Sequence, residues 1–162
     1  MASNDKAVAS VALQIRAFRP PDAVSISEIL RDSAEAAQWP PESYPKLAAS
    51  PGGVLLVCET NARLVGFVAA RQVADEAEIH NIAVRCDSRR KGAASALLVA
   101  ALDRFRRSTI TCVFLELRES NQPARALYEH HGFVLSGRRK SYYRHPTEDA
   151  LCMQKKLTDA SD

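Results

Sequence analysis

At 162 residues and a net charge of +3, the chain can bury one core without disulfide or metal staples. That charge is too mild to imply a nucleic-acid partner by itself. Apolar residues make up 46%, ordinary for a soluble globular chain, and no apolar run approaches the ~20 residues of a membrane span.

Residues 1–10 carry one lysine, one aspartate and no hydrophobic block, which reads as a disordered leader rather than a secretory signal. Residues 11–158 read as a single domain and 159–162 as a flexible tail. Positions 11–18 alternate apolar and polar side chains, the pattern of a first strand. Pro20, Pro21 and Asp22 stop it and open a helix with the stripe Ala23, Ile26, Ile29 and Leu30. A second short helix follows Trp39-Pro40-Pro41 and runs to about Ala49. Trp39 reads as a core anchor or as part of a substrate wall. Strands over 54–59 and 64–73 form a hairpin, and a further strand runs over 77–84. After a polar, basic turn, Ala94, Leu97, Leu98, Ala101 and Phe105 recur at helical spacing, ending at Arg104, Arg106 and Arg107. A strand over 112–117 is apolar except for Glu116. Asn121 and Pro123 then open a helix with the stripe Ala124, Leu127, Tyr128 and His131, closed by Gly132. Short strands over 133–135 and 150–153 close the domain, with a polar, aromatic loop between them. The hairpins require antiparallel pairing, and the strand–helix–strand unit over 77–117 requires a parallel pair. The fold class is therefore α/β: a mixed, mostly antiparallel twisted sheet of about seven strands, flanked by about four helices.

Cys58, Cys86, Cys112 and Cys152 are scattered without a CxxC pair and read as buried thiols in a reducing compartment. His80, His130, His131 and His145 lack ligand spacing too, so no metal is expected.

Chemistry concentrates in residues 81–98, NIAVRCDSRRKGAASALL. A strand entering a helix through a glycine-containing turn presents unpaired backbone N–H groups to an anion. Arg89, Arg90 and Lys91 stand at the same helix start, where cations oppose the dipole by about 0.3–1 kcal/mol each unless an anion binds there.

The run Arg89-Arg90-Lys91-Gly92-Ala93-Ala94 resembles the acyl-CoA pyrophosphate motif of the GNAT acetyltransferases, [QR]-x-x-G-x-[GA]. It follows NIAV, which is similar to that family's fourth strand, and LELRESNQPARALYEHHGF resembles its fifth strand and following helix. Within the family, the chain looks most like the bacterial ribosomal-protein-alanine N-acetyltransferases. The spacing Glu116…Asn121…Tyr128 and the tail RRKSYY followed by Glu148-Asp149-Ala150 carry that likeness. Ala93 and Ala94 replace a larger aliphatic residue and a glycine commoner at those positions, but the turn stays small.

The resemblance implies direct transfer of an acetyl group from acetyl-CoA to a primary amine, foremost a protein N-terminal α-amine. The backbone from Arg89 to Ala94 would hold the pyrophosphate, and Ile82, Ala83 and Val84 the pantetheine arm and thioester carbonyl. Asn121 would cap its helix and touch the same arm. Glu116 would be the general base and Tyr128 the acid that protonates the leaving thiolate. The alternatives are Glu116 as the partner of Arg118 or another arginine, Tyr128 as a core residue, and His80 as a weaker candidate base. Tyr142 and Tyr143 would wall an acceptor slot, or form an ordinary Tyr-rich hairpin. No cysteine motif points to a covalent acyl-enzyme. Alternatives are a small-amine acetyltransferase and a non-catalytic acyl-CoA-sensing module. No membrane or direct nucleic-acid partner is expected, and the chain would be a monomer or weak dimer.

Overall fold

A computed structural model describes residues 12–157. The leader over 1–10 and the tail over 159–162 lie outside the described residues. In chain order the elements are β1 (Gln14–Ala17), α1 (Ala23–Arg31), α2 (Ser43–Ala49), β2 (Gly53–Thr60), β3 (Arg63–Val73) and β4 (Glu76–Val84). They continue with α3 (Ala93–Arg106), β5 (Cys112–Arg118), α4 (Gln122–His130), β6 (Val134–Tyr143) and β7 (Glu148–Lys156). One seven-stranded sheet has the order β1-β2-β3-β4-β5-β7-β6, antiparallel throughout except for the expected parallel β4–β5 pair.

Two hydrophobic layers hold helices on opposite faces. On one, Ile26, Ile29 and Leu30 of α1 and Tyr44 and Leu47 of α2 bury against Leu55, Val57, Phe67 and Ala69. On the other, Leu97, Leu98, Ala101 and Phe105 of α3 and Tyr128 of α4 pack on Leu56, Val68, Ile79, Val113, Leu115 and Leu117. Burying a large aliphatic or aromatic side chain stabilises by about 1.5–3 kcal/mol. These stripes, more than intrinsic propensity, therefore fix helices of only two to four turns. Covered on both faces, β2 and β3 read as continuous apolar runs, whereas β5 alternates, with Val113, Leu115 and Leu117 buried and Glu116 turned to the opposite face.

β1 is shorter than the expected 11–18: among the described residues its ladder with β2 begins only at Gln14, and it ends at Ala17 ahead of the 3-10 turn at Pro20–Asp22. Arg16 anchors that corner, pairing with Asp22 at 2.8 Å and Glu59 at 2.6 Å.

The expected polar loop between two short closing strands is instead a long hairpin, β6 and β7, in register from Val134↔Gln154 to Tyr143↔Glu148. β6 is an edge strand exposed along nearly its whole length. It buries no face, and its strand character comes from the ladder with β7. Two register shifts and the charges of Arg138, Arg139 and Lys140 guard the open edge.

The thiols also differ from expectation: Cys58 is buried, Cys112 and Cys152 are half-buried, and Cys86 is exposed. Cys86 sits in the turn after β4.

Candidate active site

The β4–β5 ladder joins only Glu76–Ile79 to Cys112–Leu115; beyond it the two strands separate. A bulge in β4 prepares this fork. Ala69 pairs with Asn81 and Ala70 with Ile79, so His80 is left over and the facing pattern of β4 inverts. Asn81 turns toward α2, where its Nδ2 donates to Ala37 O at 2.9 Å and to Tyr44 Oη at 3.5 Å. Arg85 N–H donates to Val65 O at 2.7 Å. Strand alternation then points the N–H and C=O groups of Ile82 and Val84 away from β3, into the gap. Arg89 Nε takes the Val84 carbonyl at 3.1 Å, leaving the Ile82 and Val84 N–H groups as donors at the fork.

A groove of about 700 Å³ runs from that gap between α3 and α4. Ile82, Ala83, Val84, Arg89, Arg90, Gly92, Ala93, Ala94 and Asn121 line it, together with Ser95, Leu127 and Tyr128. At its head, Gly92 caps α3 in the left-handed region with φ +86 and no side-chain cap. An added Cβ would meet only Leu13 Cδ1 at 3.9 Å, so glycine is needed for conformation rather than space. The first-turn N–H groups of Ala93, Ala94 and Ser95 consequently face an open groove, an arrangement suited to a diphosphate.

The three cations of the turn part company. Arg90, at φ +60, lines the groove. Arg89 also borders it, but its guanidinium is engaged with Val84 O, Asp32 O, Ser33 Oγ and Glu35. Lys91 donates to Asp87 O at 3.3 Å and lines a separate cavity with Leu13, Thr60 and Arg63. Its side chain is on the far side of the turn from the groove.

Asn121 caps α4, accepting Ala124 N–H at 3.2 Å. Two helical turns farther, Tyr128 is 7% exposed and packs edge-on to Phe133, with ring centroids 5.7 Å apart. Among the described residues its hydroxyl makes no hydrogen bond, and the ring borders the groove. Burial, with a smaller push from Tyr143, raises its phenol well above the ordinary value. Tyr128 therefore stays protonated and available as a donor.

Glu116 occupies the other side of the fork. It is the first β5 residue beyond the β4 ladder, and it lines a second cavity of about 310 Å³ with Arg71, Glu76, Glu78, Arg139 and Cys152. Arg139 Nε lies 2.7 Å from its carboxylate and Cys152 Sγ 3.9 Å away. Of the expected arginine partners, Arg118 goes elsewhere: it pairs with Glu148 at 3.2 Å and stacks on Tyr143 at 4.5 Å. Tyr142 packs against Tyr143 and over Arg139. The Glu116 carboxylate raises the Tyr142 phenol, while burial and then Glu116 push Tyr143 up to about 12. Glu148 also accepts the Ser120 N–H, binding the β6–β7 turn to the loop that leads into α4.

Trp39 stands at the rim of another, shallow cavity, against Tyr44 and His80 at 5.7 and 5.4 Å. Burial, and secondarily Arg71, hold His80 below the ordinary imidazole value against the opposing effect of Glu78. The structure thus gathers Tyr128, Asn121 and the turn on one side of the fork and Glu116, Tyr142 and Tyr143 on the other. Sequence reasoning missed Ser95, whose Oγ lies 2.7 Å from His131 Nε2. His131 was expected on the apolar stripe but is the residue that caps α4. Ser95 sits immediately beyond the recognisable turn, and only that adjacency could have marked it.

The acetyltransferase (GNAT) family model matches residues 23–133. A putative [ribosomal protein bS18]-alanine N-acetyltransferase of Bacillus subtilis is 33% identical over 140 residues, covering 86% of this chain and 92% of that one. The crystal structure of the ribosomal-protein-S18-alanine N-acetyltransferase from Escherichia coli superposes with a TM-score of 0.81 at 27% identity, over 93% and 97% of the two chains. The yncA protein of Salmonella typhimurium, a putative acetyltransferase solved with its cofactor acetyl-CoA, shares the fold at a TM-score of 0.75 and 20% identity, over 93% and 97%.

Proposed function

The chain belongs to the acetyltransferase (GNAT) family, and from that premise we propose that it transfers the acetyl group of acetyl-CoA to the α-amine at a protein N-terminus. A ribosomal protein beginning with alanine is the leading acceptor, in keeping with the names of the relatives. The observation that carries the reading is the β4–β5 fork, with a donor groove on one face of the sheet and a carboxylate-bearing cavity on the other. An acyl group entering from the groove meets an amine entering from the opposite side, so direct attack needs no covalent enzyme intermediate.

The chain's residues divide the work accordingly. The first-turn N–H groups of α3 and Arg90 hold the diphosphate, and Asn121 with the free edge of Ile82–Val84 holds the arm that follows. A backbone N–H of Ile82 or Val84 stabilises the oxyanion as the amine adds to the carbonyl. Glu116 accepts the amine proton, directly or through a water, and Tyr128 returns one to the departing thiolate. An α-amine with pKa about 7.7–8.0 needs only a modest base, and the Tyr128 phenol, a weaker acid than a thiol of pKa ~8.5, gives its proton uphill, in step with the breaking C–S bond. Tyr142, Tyr143 and Trp39 border the acceptor's path. The cytoplasm is the implied compartment, and a monomer or weak dimer the working unit.

The test is thiol release from acetyl-CoA against peptides varied at their first residues, including ones that begin with alanine, and against small amines. Turnover that depends on the first several peptide residues is expected. Turnover confined to small amines would replace the acceptor, and tight acetyl-CoA binding without turnover would make the chain a sensing module.

A further inference from the structure

Ser95 is the third residue of α3, and its hydroxyl borders the donor groove beside the first-turn N–H groups. Its oxygen lies 2.7 Å from Nε2 of His131, the cap of α4. The pair therefore bridges the two helices that wall the groove. His131 is held in place by its own backbone, whose N–H donates to Leu127 O at 3.2 Å and Tyr128 O at 3.1 Å. His130 of the same helix stands edge-on to the ring at 5.2 Å. Lys155 of β7 approaches from the next strand, close to Gly132. No carboxylate lies within ion-pair distance of His131 among the described residues, so its neighbours are a hydroxyl, an imidazole and an ammonium group.

A hydroxyl has one proton to give. When His131 Nε2 is an acceptor, it takes that proton, and Ser95 turns only lone pairs toward the groove, which repels an anion. When Nε2 carries a proton, it donates to Ser95 Oγ and frees the Ser95 O–H to donate elsewhere. A phosphate bound at the first turn of α3 favours the second arrangement. A protonated imidazolium permits nothing else, and adds a positive charge next to the groove.

On the reading that this groove takes acetyl-CoA, we propose that Ser95 and His131 form a hydroxyl–imidazole relay that completes the diphosphate cradle from the α4 side and makes donor affinity rise as His131 gains a proton. Burial, then His130 and Lys155, hold the free imidazole below its ordinary value. With no donor in the groove His131 is thus neutral near pH 7, and the bound donor raises its proton affinity through Ser95. Linkage makes the two effects equal: the factor by which protonation tightens the donor is the factor by which the donor raises the imidazole's proton affinity.

The experiment is calorimetric titration of coenzyme A from pH 5.5 to 8 on the full chain, its Ser95→Ala and its His131→Gln variants. Proton NMR of the His131 ring is recorded alongside, with and without coenzyme A. The ligand's own phosphate monoester ionises near pH ~6, but that contribution is common to all three proteins and cancels in the comparison. Relative to His131→Gln, the wild type is expected to gain three- to tenfold in affinity between pH 8 and 5.5, with the imidazole titration moving upward by the corresponding half to one pH unit. Ser95→Ala should weaken binding about threefold or more at every pH and reduce the dependence. Coenzyme A binding whose pH profile is the same in wild type and His131→Gln, with an unmoved imidazole titration, overturns the relay and leaves the groove assignment standing. Absence of coenzyme A binding in the wild type overturns both.

Discussion

Replacing Glu116 by Gln separates the base from the ion-pair partner. The carboxylate is 19% exposed and its Arg139 partner 60% exposed. A pair so open to water is worth about 0–1 kcal/mol. Gln keeps an oxygen that can accept from Arg139 Nε, so the melting temperature should move by no more than a few degrees. The expected loss in catalysis is far larger, because a positioned general base contributes about 10²–10⁴-fold. At pH 7 most of a peptide α-amine with pKa about 7.7–8.0 is still protonated. The deficit in kcat/KM of Glu116→Gln should therefore be greatest near pH 6.5–7 and shrink toward pH 9, where free amine is abundant. The assay is thiol release from saturating acetyl-CoA with an N-terminal peptide across that range, with the coenzyme A dissociation constant measured in parallel. A variant within threefold of wild type at every pH, with donor binding intact, would refute the argument and leave Glu116 as the partner of Arg139.

Tyr128→Phe keeps the edge contact with Phe133 and removes only the hydroxyl, so stability should change by less than about 1 kcal/mol while kcat falls at least tenfold; stopped-flow turnover and thermal melting together check this. Gly92→Ala places a Cβ on a left-handed residue that has room for it, so the cost is conformational, about 1–2 kcal/mol, and weaker coenzyme A binding should accompany it. The Arg16 guanidinium holds the Asp22 carboxyl below its ordinary value. That contribution to stability is present above the unfolded-state value and is lost as pH falls through the depressed folded one. Asp22→Asn should destabilise at pH 7 by about 1–3 kcal/mol and give a flatter stability curve below pH 5, read by denaturant unfolding.

Most of the architecture is legible because burial writes itself into spacing. The stripe Ile26, Ile29, Leu30 and the alternation Val113, Leu115, Leu117 each name a covered face. β6 lacks that signature: nothing covers either of its faces, so a run rich in Arg, Lys and Tyr carries no period even though its backbone is laddered to β7 on either side of two register shifts. The turn before α3 is legible in composition but not in direction. Arg89, Arg90 and Lys91 are three adjacent cations, and only the left-handed backbone at Arg90 and Gly92 decides which reaches the groove. Glu116 is visibly out of phase with its apolar neighbours, but the sheet order is needed to show that it and Tyr128 lie on opposite sides of the fork. The Ser95–His131 contact joins residues 36 apart in the chain and leaves no local pattern.

The short parallel ladder also has a mechanical side. Four strands, β1–β4, and three, β5, β7 and β6, meet along Glu76–Ile79 and Cys112–Leu115 alone, whereas β5 and β7 run together from Cys112 to Arg118. The protein is two plates riveted at one end of a seam, with α3 and α4 spanning the unriveted end. An extended amide-bearing ligand laid along Ile82–Val84 would supply the missing rungs and stiffen the whole assembly. Amide exchange at Ile82 and Val84 should therefore slow more than anywhere else when the seam is filled, while Ala83, already bonded toward β3, changes less.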